Sequence, residues 1–109
     1  MAYDHNLAQR VRAELDEIPG LQEKKMFGGV GYLIFGNMAC GVHGEDLIVR
    51  VGSDAYEAAL KQPHTKPFDM TGKPLSGWIV VTAGGYKSDG DLRNWVERGV
   101  VFARSLPQK

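Results

Sequence analysis

The chain has 109 residues, thirteen basic and thirteen acidic, which fits one domain and excludes the strongly basic footprint of a dedicated nucleic-acid binder. Its single cysteine, Cys40, excludes an internal disulfide framework and a cysteine-clustered zinc site, while an aliphatic and phenylalanine content of about a quarter is enough for a globular core. The polar start Met1-Ala2-Tyr3-Asp4-His5 does not read as a signal peptide, and no run approaches the ~20 apolar residues that span a bilayer, so a cytoplasmic protein without membrane contact is expected.

Asp4 to Ile18 reads as a helix, because Leu7, Val11, Leu15 and Ile18 recur on one helical stripe. Arg10 and Glu14, and Arg12 and Asp16, are opposite charges four apart on its solvent side. Pro19-Gly20 ends it. From Lys24 to Val51 the period falls to two. The run Val30 to Phe35 leads into Gly36-Asn37, read as a type II′ hairpin turn, and then into Met38 to His43. That turn pairs Phe35 with Met38, Leu33 with Cys40 and Gly31 with Val42. A second turn around Gly44-Glu45 pairs Val42 with Leu47, Cys40 with Val49 and Met38 with Val51. The core face then carries Leu33, Phe35, Met38, Cys40, Val42, Leu47, Val49 and Val51. The opposite face holds Val30, Tyr32, Ile34, Ala39, Gly41, His43, Ile48 and Arg50, too apolar for free solvation, so it is expected to be partly covered by another element or a second subunit.

Ser53 caps a short helix over Asp54 to Gln62, with Tyr56, Ala59 and Leu60 inward. Pro63 and Pro67 bracket a loop, a weak strand surrounds Phe68 to Met70, and Gly72 to Pro74 form a turn. Trp78 to Ala83 is a β-branched strand ending at Gly84-Gly85. Ser88 and Asp91 open the last helix, whose Leu92, Trp95, Val96, Gly99, Phe102, Ala103 and Leu106 follow at helical spacing. The order α-β-β-β-α-β-β-α predicts a single α+β domain over residues 1–109, with an antiparallel sheet of about five strands.

The run Lys24-Lys25-Met26-Phe27-Gly28-Gly29 resembles the opening strand of the TfoX N-terminal domain family, the competence regulators of Sxy type and their small relatives. The resemblance continues through the hairpin around Gly36-Asn37, the Leu47 to Val51 strand and the helix after it. It resumes at Pro67-Phe68, at the Trp78 strand, and at the Leu92 to Arg98 helix with Trp95. It spans roughly Leu7 to Phe102. It implies an α+β domain whose better-known bacterial members regulate transcription of DNA-uptake genes and carry a second, helical C-terminal domain. This sequence ends at Lys109 without one and departs there from the competence regulators, and the stand-alone relatives bring no assigned activity. The resemblance brings no catalytic residues.

No constellation satisfies the tests for acid–base, covalent or metal catalysis. Gly84 to Ser88 fails the P-loop spacing, with Tyr86 and Thr82 where glycines are required, and Gly72-Lys73 is followed by Pro74. Gly29-Val30-Gly31 lacks the third glycine of a dinucleotide fingerprint, and Asp89-Gly90-Asp91 lacks the remaining ligands of a calcium loop, so capping explains both aspartates. Cys40 and His43 fall on opposite faces of one strand and cannot pair as nucleophile and base. Trp95 lies on the core stripe; of Trp78 and Ile79, one faces outward, and an outward Trp78 would join an interface. A non-enzymatic regulatory or protein-binding module is therefore expected, without metal or cofactor. Its partner, an unidentified protein or a second copy of the chain, would be met by Lys24, Lys25, Phe27, Gly28, Gly29, Tyr32, Ile34, Ile48 and Arg50, through packing or strand addition. The alternative is a nucleic-acid contact through Lys24, Lys25, Lys87, Arg93, Arg98 and Arg104, and a third reading is a small-ligand carrier or enzyme.

Overall fold

The computed structural model describes residues 3–26, 28–69 and 75–107. The Asp4 carboxylate accepts the Leu7 N–H at 3.1 Å and opens α1 (His5–Leu15), which buries Leu7, Val11 and Leu15. Four strands follow: β1 (Leu21–Met26), β2 (Gly29–Ile34), β3 (Asn37–His43) and β4 (Asp46–Arg50). After them come α2 (Ser53–Leu60), β5 (Thr65–Pro67), β6 (Trp78–Val81), the single turn α3 (Ala83–Tyr86) and α4 (Asp89–Ser105). The pairings between these strands are all antiparallel, and the six described strands lie in the order β1-β2-β3-β4-β6-β5, while an isolated parallel bridge joins Tyr3 to Gly44.

The expected α+β class and element order hold, with β1 as a full strand of its own. Gly84 and Gly85 lie within α3 instead of merely ending the strand. β5 forms three residues before the expected Phe68 strand; Met70 and the turn expected at Gly72 to Pro74 lie outside the described residues. The helices pack on one sheet face, where Leu92, Trp95, Val96, Val100 and Ala103 of α4 meet Cys40, Val42, Leu47, Val49, Ile79 and Val81. Among the described residues no helix packs on the other face.

The second hairpin pairs Val42 with Leu47 and Cys40 with Val49, as the sequence predicts. The first hairpin does not follow the prediction. Its turn residues are Phe35 (φ 50°) and Gly36 (φ 87°), both left-handed, closing Ile34 on Asn37; this is a type I′ geometry one residue earlier than expected. Tertiary contacts hold it there. The Phe35 N–H donates to the Gly20 carbonyl at 3.0 Å, and the Phe35 ring lies over Gly20 so closely that a Cβ there would come within 2.7 Å. Asn37, 2% exposed, donates its Nδ2 to the Pro107 carbonyl at 2.9 Å.

A β-bulge then places Ala39 as the extra residue of β3, since Leu33 faces Met38 while Tyr32 faces Cys40. The consequence is an inversion of β2. Val30, Tyr32 and Ile34 join the core together with Ala39, whereas Leu33 and Met38 turn to the helix-free face and Phe35 is 40% exposed. A slip of one residue exchanges every side chain between faces, because the strand period is two.

Candidate functional site

The helix-free face is built from Gly31, Leu33, Met38, Gly41, Ile48, Arg50, Trp78 and Val80. Phe68 and Leu75, from either end of the connection between β5 and β6, lie against it. Leu75 donates its N–H to the Phe68 carbonyl at 3.0 Å, and Trp78 donates its own to the Leu75 carbonyl at 3.1 Å. The Phe68 and Trp78 rings stand 6.2 Å apart. Met38, Gly41, Ile48, Phe68, Leu75 and Trp78 thereby line a hollow of about 190 Å³, with the exposed His43 beside it. Gly41 is required there, because a Cβ would stand 2.7 Å from the Val30 carbonyl and 2.8 Å from the Met38 methyl. Next to the hollow, the Arg50 guanidinium sits 5.1 Å from the Trp78 ring centre and 5.3 Å from that of Phe102. Two aromatic faces thus hold one cation in place.

Of the expected partner-binding residues, Ile48 and Arg50 are on this face. Tyr32 and Ile34 are not: each is 1% exposed and belongs to the core under the helices. The Tyr32 hydroxyl donates to the Ala8 carbonyl at 3.0 Å, and burial, reinforced by the nearby Glu23 charge, pushes its pKa well above the ordinary tyrosine range. Lys24 and Lys25 are exposed on β1, facing Gly31 and Val30 and hence opposite sides of the sheet. Gly28 takes a positive φ of 75° in the β1–β2 turn. Gly29 is buried, and a Cβ there would collide with the Val42 carbonyl, so close packing explains it. Phe27 lies outside the described residues.

The basic residues of the nucleic-acid alternative do not form one patch. Lys25 faces Val30, toward the Gly44 end of the sheet, while the Pro107 segment that follows α4 and Arg104 is tied to Asn37 at the other end. Arg93 is engaged by Glu14 at 3.0 Å, and Arg98 lies over the Trp95 ring at 4.6 Å. Neither charge pair expected within α1 forms. Arg10 instead donates to the Tyr86 carbonyl at 2.9 Å, to the Lys87 carbonyl at 3.2 Å and to Asp89 at 3.2 Å, and Arg12 reaches Glu23 at 3.1 Å. The Tyr86 hydroxyl donates to the Glu45 carbonyl. These ties lock α1, the α3–α4 junction and the β3–β4 turn together.

Cys40 is wholly buried, and the loss of solvent pushes its thiol up to about 12. It faces the core while His43 is exposed, as expected. The Ser88 hydroxyl accepts the Asp91 N–H at 3.1 Å, which accounts for Asp91 as part of the helix start. Among the described residues no three His, Cys, Asp or Glu side chains gather as metal ligands, and no helix is long and apolar enough to cross a membrane.

Sequence reasoning missed Met38, Phe68 and Leu75 as lining residues. Met38 was assigned to the core because the bulge that turns it outward leaves no mark in the alternating pattern. Trp78 was legible as a half of the Trp78/Ile79 alternation: Ile79 is fully buried and Trp78 half-buried on the helix-free face. The family model of the TfoX N-terminal domain matches residues 13–103, from the last turn of α1 to near the end of α4. No curated protein and no solved structure matches the chain.

Proposed function

The chain belongs to the TfoX N-terminal domain family, and from that premise we propose that it is a non-enzymatic regulatory module of the cytoplasm that acts by binding a protein partner. The observation that carries this reading is the apolar hollow on the helix-free face. Its lining combines an adaptable methionine with two aromatic rings, the residue types enriched where proteins recognise one another. At about 190 Å³ it is somewhat larger than the ~150 Å³ apolar cavity that accepts a benzene-sized group. One large apolar side chain of a partner is a suitable occupant. Arg50 beside the hollow favours a partner segment carrying a carboxylate next to that anchor.

The test is affinity capture of the tagged chain from a native lysate, with and without nuclease, compared with Leu75→Glu and with Glu57→Lys on the exposed side of α2. The reading expects a nuclease-resistant protein that Glu57→Lys retains and Leu75→Glu loses. Material lost on nuclease treatment would replace the reading with nucleic-acid binding. Capture of nothing at all would favour a small-ligand or enzymatic role.

A further inference from the structure

The free edge of β1 points to a second copy of this chain. β1 is paired with β2 alone, and among the described residues no strand covers its other side. Which backbone groups that edge offers follows from the β2 hairpin. The two-residue turn closes Ile34 on Asn37, so the groups of Tyr32 and Val30 also face β3, and those of Leu33 and Gly31 face β1. The bond from the Phe35 N–H to the Gly20 carbonyl has the same phase. Through the register of Gln22 with Leu33 and Lys24 with Gly31, the inward-facing residues of β1 are Gln22 and Lys24. The outward-facing N–H and C=O groups are those of Leu21, Glu23 and Lys25.

We propose that two chains join β1 to β1 antiparallel around a two-fold axis at Lys24, Glu23 of each facing Lys25 of the other. Such an axis stands perpendicular to the sheet, so a residue can face only residues that share its side, and outward-facing groups must meet outward-facing groups. Glu23 with the copy's Lys25 satisfies both conditions, reciprocally. Glu23, opposite Tyr32, and Lys25, opposite Val30, lie on the helix side of the sheet, so each pair joins opposite charges directly across the strands. The alternative register centred on Glu23 meets the backbone conditions too, but it sets Glu23 against Glu23. Charge complementarity selects the Lys24-centred register.

Arg12, already 3.1 Å from Glu23, completes the group, because one carboxylate accepts from both cations. The same register sets Lys24 against Lys24 on the helix-free side, a repulsion that keeps the association reversible. The result is one continuous sheet of twelve strands from two six-stranded copies, with both apolar hollows open on the same side. The inference does not depend on what those hollows bind.

The test is sedimentation equilibrium on the full chain, with far-UV circular dichroism confirming that each variant stays folded. Wild type should dimerise reversibly. Glu23→Lys and Lys25→Glu should each weaken the dimer about tenfold or more, since every lost attraction becomes a repulsion and counts in both symmetry-related pairs. Combining the two reversals should restore it, and Lys24→Thr should tighten it. A chain that stays monomeric even as Lys24→Thr overturns the proposal. So does a dimer indifferent to the reversals, or one that the combined variant fails to rescue.

Discussion

Gly99→Ala and Gly90→Ala are the same substitution in the same helix, and the structure assigns them opposite signs. At Gly99, α4 rests on the β-bulge: an added Cβ would lie 2.2 Å from the Ala39 carbonyl oxygen and 3.0 Å from its carbon, where at least 3.0 Å to the oxygen is needed. Both sides of that contact are backbone, so no side chain can swing away. α4 must lift from β3, loosening Val96, Val100 and Ala103 along its buried stripe. Overpacking of this kind costs ~1–3 kcal/mol or more, and a rigid backbone contact belongs at the upper end. Alanine returns about 1 kcal/mol of helix propensity, leaving a net loss of about 2 kcal/mol. At Gly90 a Cβ meets nothing within 4 Å, so only the propensity gain remains, about 0.5 kcal/mol at this first-turn position. Thermal unfolding followed by tryptophan fluorescence and circular dichroism would separate them. Gly99→Ala should lower the thermal midpoint by about 10 °C in a domain of this size, and Gly90→Ala should raise it slightly. A Gly99→Ala protein as stable as wild type would refute the close approach of α4 to the bulge.

Arg10→Ala should cost about 1–2 kcal/mol in urea unfolding, because two carbonyls and one carboxylate lose a shared charged donor. Much of that loss should persist in high salt, which screens only the exposed Asp89 contact. Tyr32→Phe should cost about 1 kcal/mol by removing the bond to Ala8, while leaving any partner binding untouched, since Tyr32 is core. Cys40 should resist thiol reagents in the folded protein and react on unfolding. Its pKa rises from an ordinary 9.0 to about 12 on folding, so the folded state binds the proton more tightly. The Cys40 contribution is therefore constant below about pH 9 and lowers stability as pH rises from about 9 toward about 12. Urea midpoints at pH 8 and pH 10 should differ less in Cys40→Ala than in wild type.

The helical stripes and the second hairpin were legible because each rests on local periodicity alone. Leu7, Val11 and Leu15 are buried as their spacing requires, and Val42 meets Leu47 as a tight turn around Gly44-Glu45 requires. The first hairpin depends on contacts far along the chain. Gly36-Asn37 is a sound local turn signal, yet Phe35 on Gly20 and Asn37 on Pro107 fix the turn one residue earlier. Moving the turn by one residue shifts the pairing by two and leaves the faces unchanged; it was the bulge at Ala39 that turned Tyr32 and Ile34 from the expected binding face into the core. Half of the binding face survived the error, because Ile48 and Arg50 are placed by the second hairpin. The charge pairs of α1 failed for a related reason. Spacing sets which side chains are near along a helix, but Arg10 found a cluster of carbonyls at the α3–α4 junction that no local pattern announces.

The claim that the helix-free face recognises a protein is tested most directly by photo-crosslinking in the native cell extract after nuclease treatment. A photoreactive phenylalanine analogue at Leu75, 40% exposed at the rim of the hollow, would be compared with the same group at Glu57 on the exposed side of α2. The account predicts a discrete polypeptide adduct from position 75 and none from position 57. Adducts from position 57 alone, or none from either position, would contradict it.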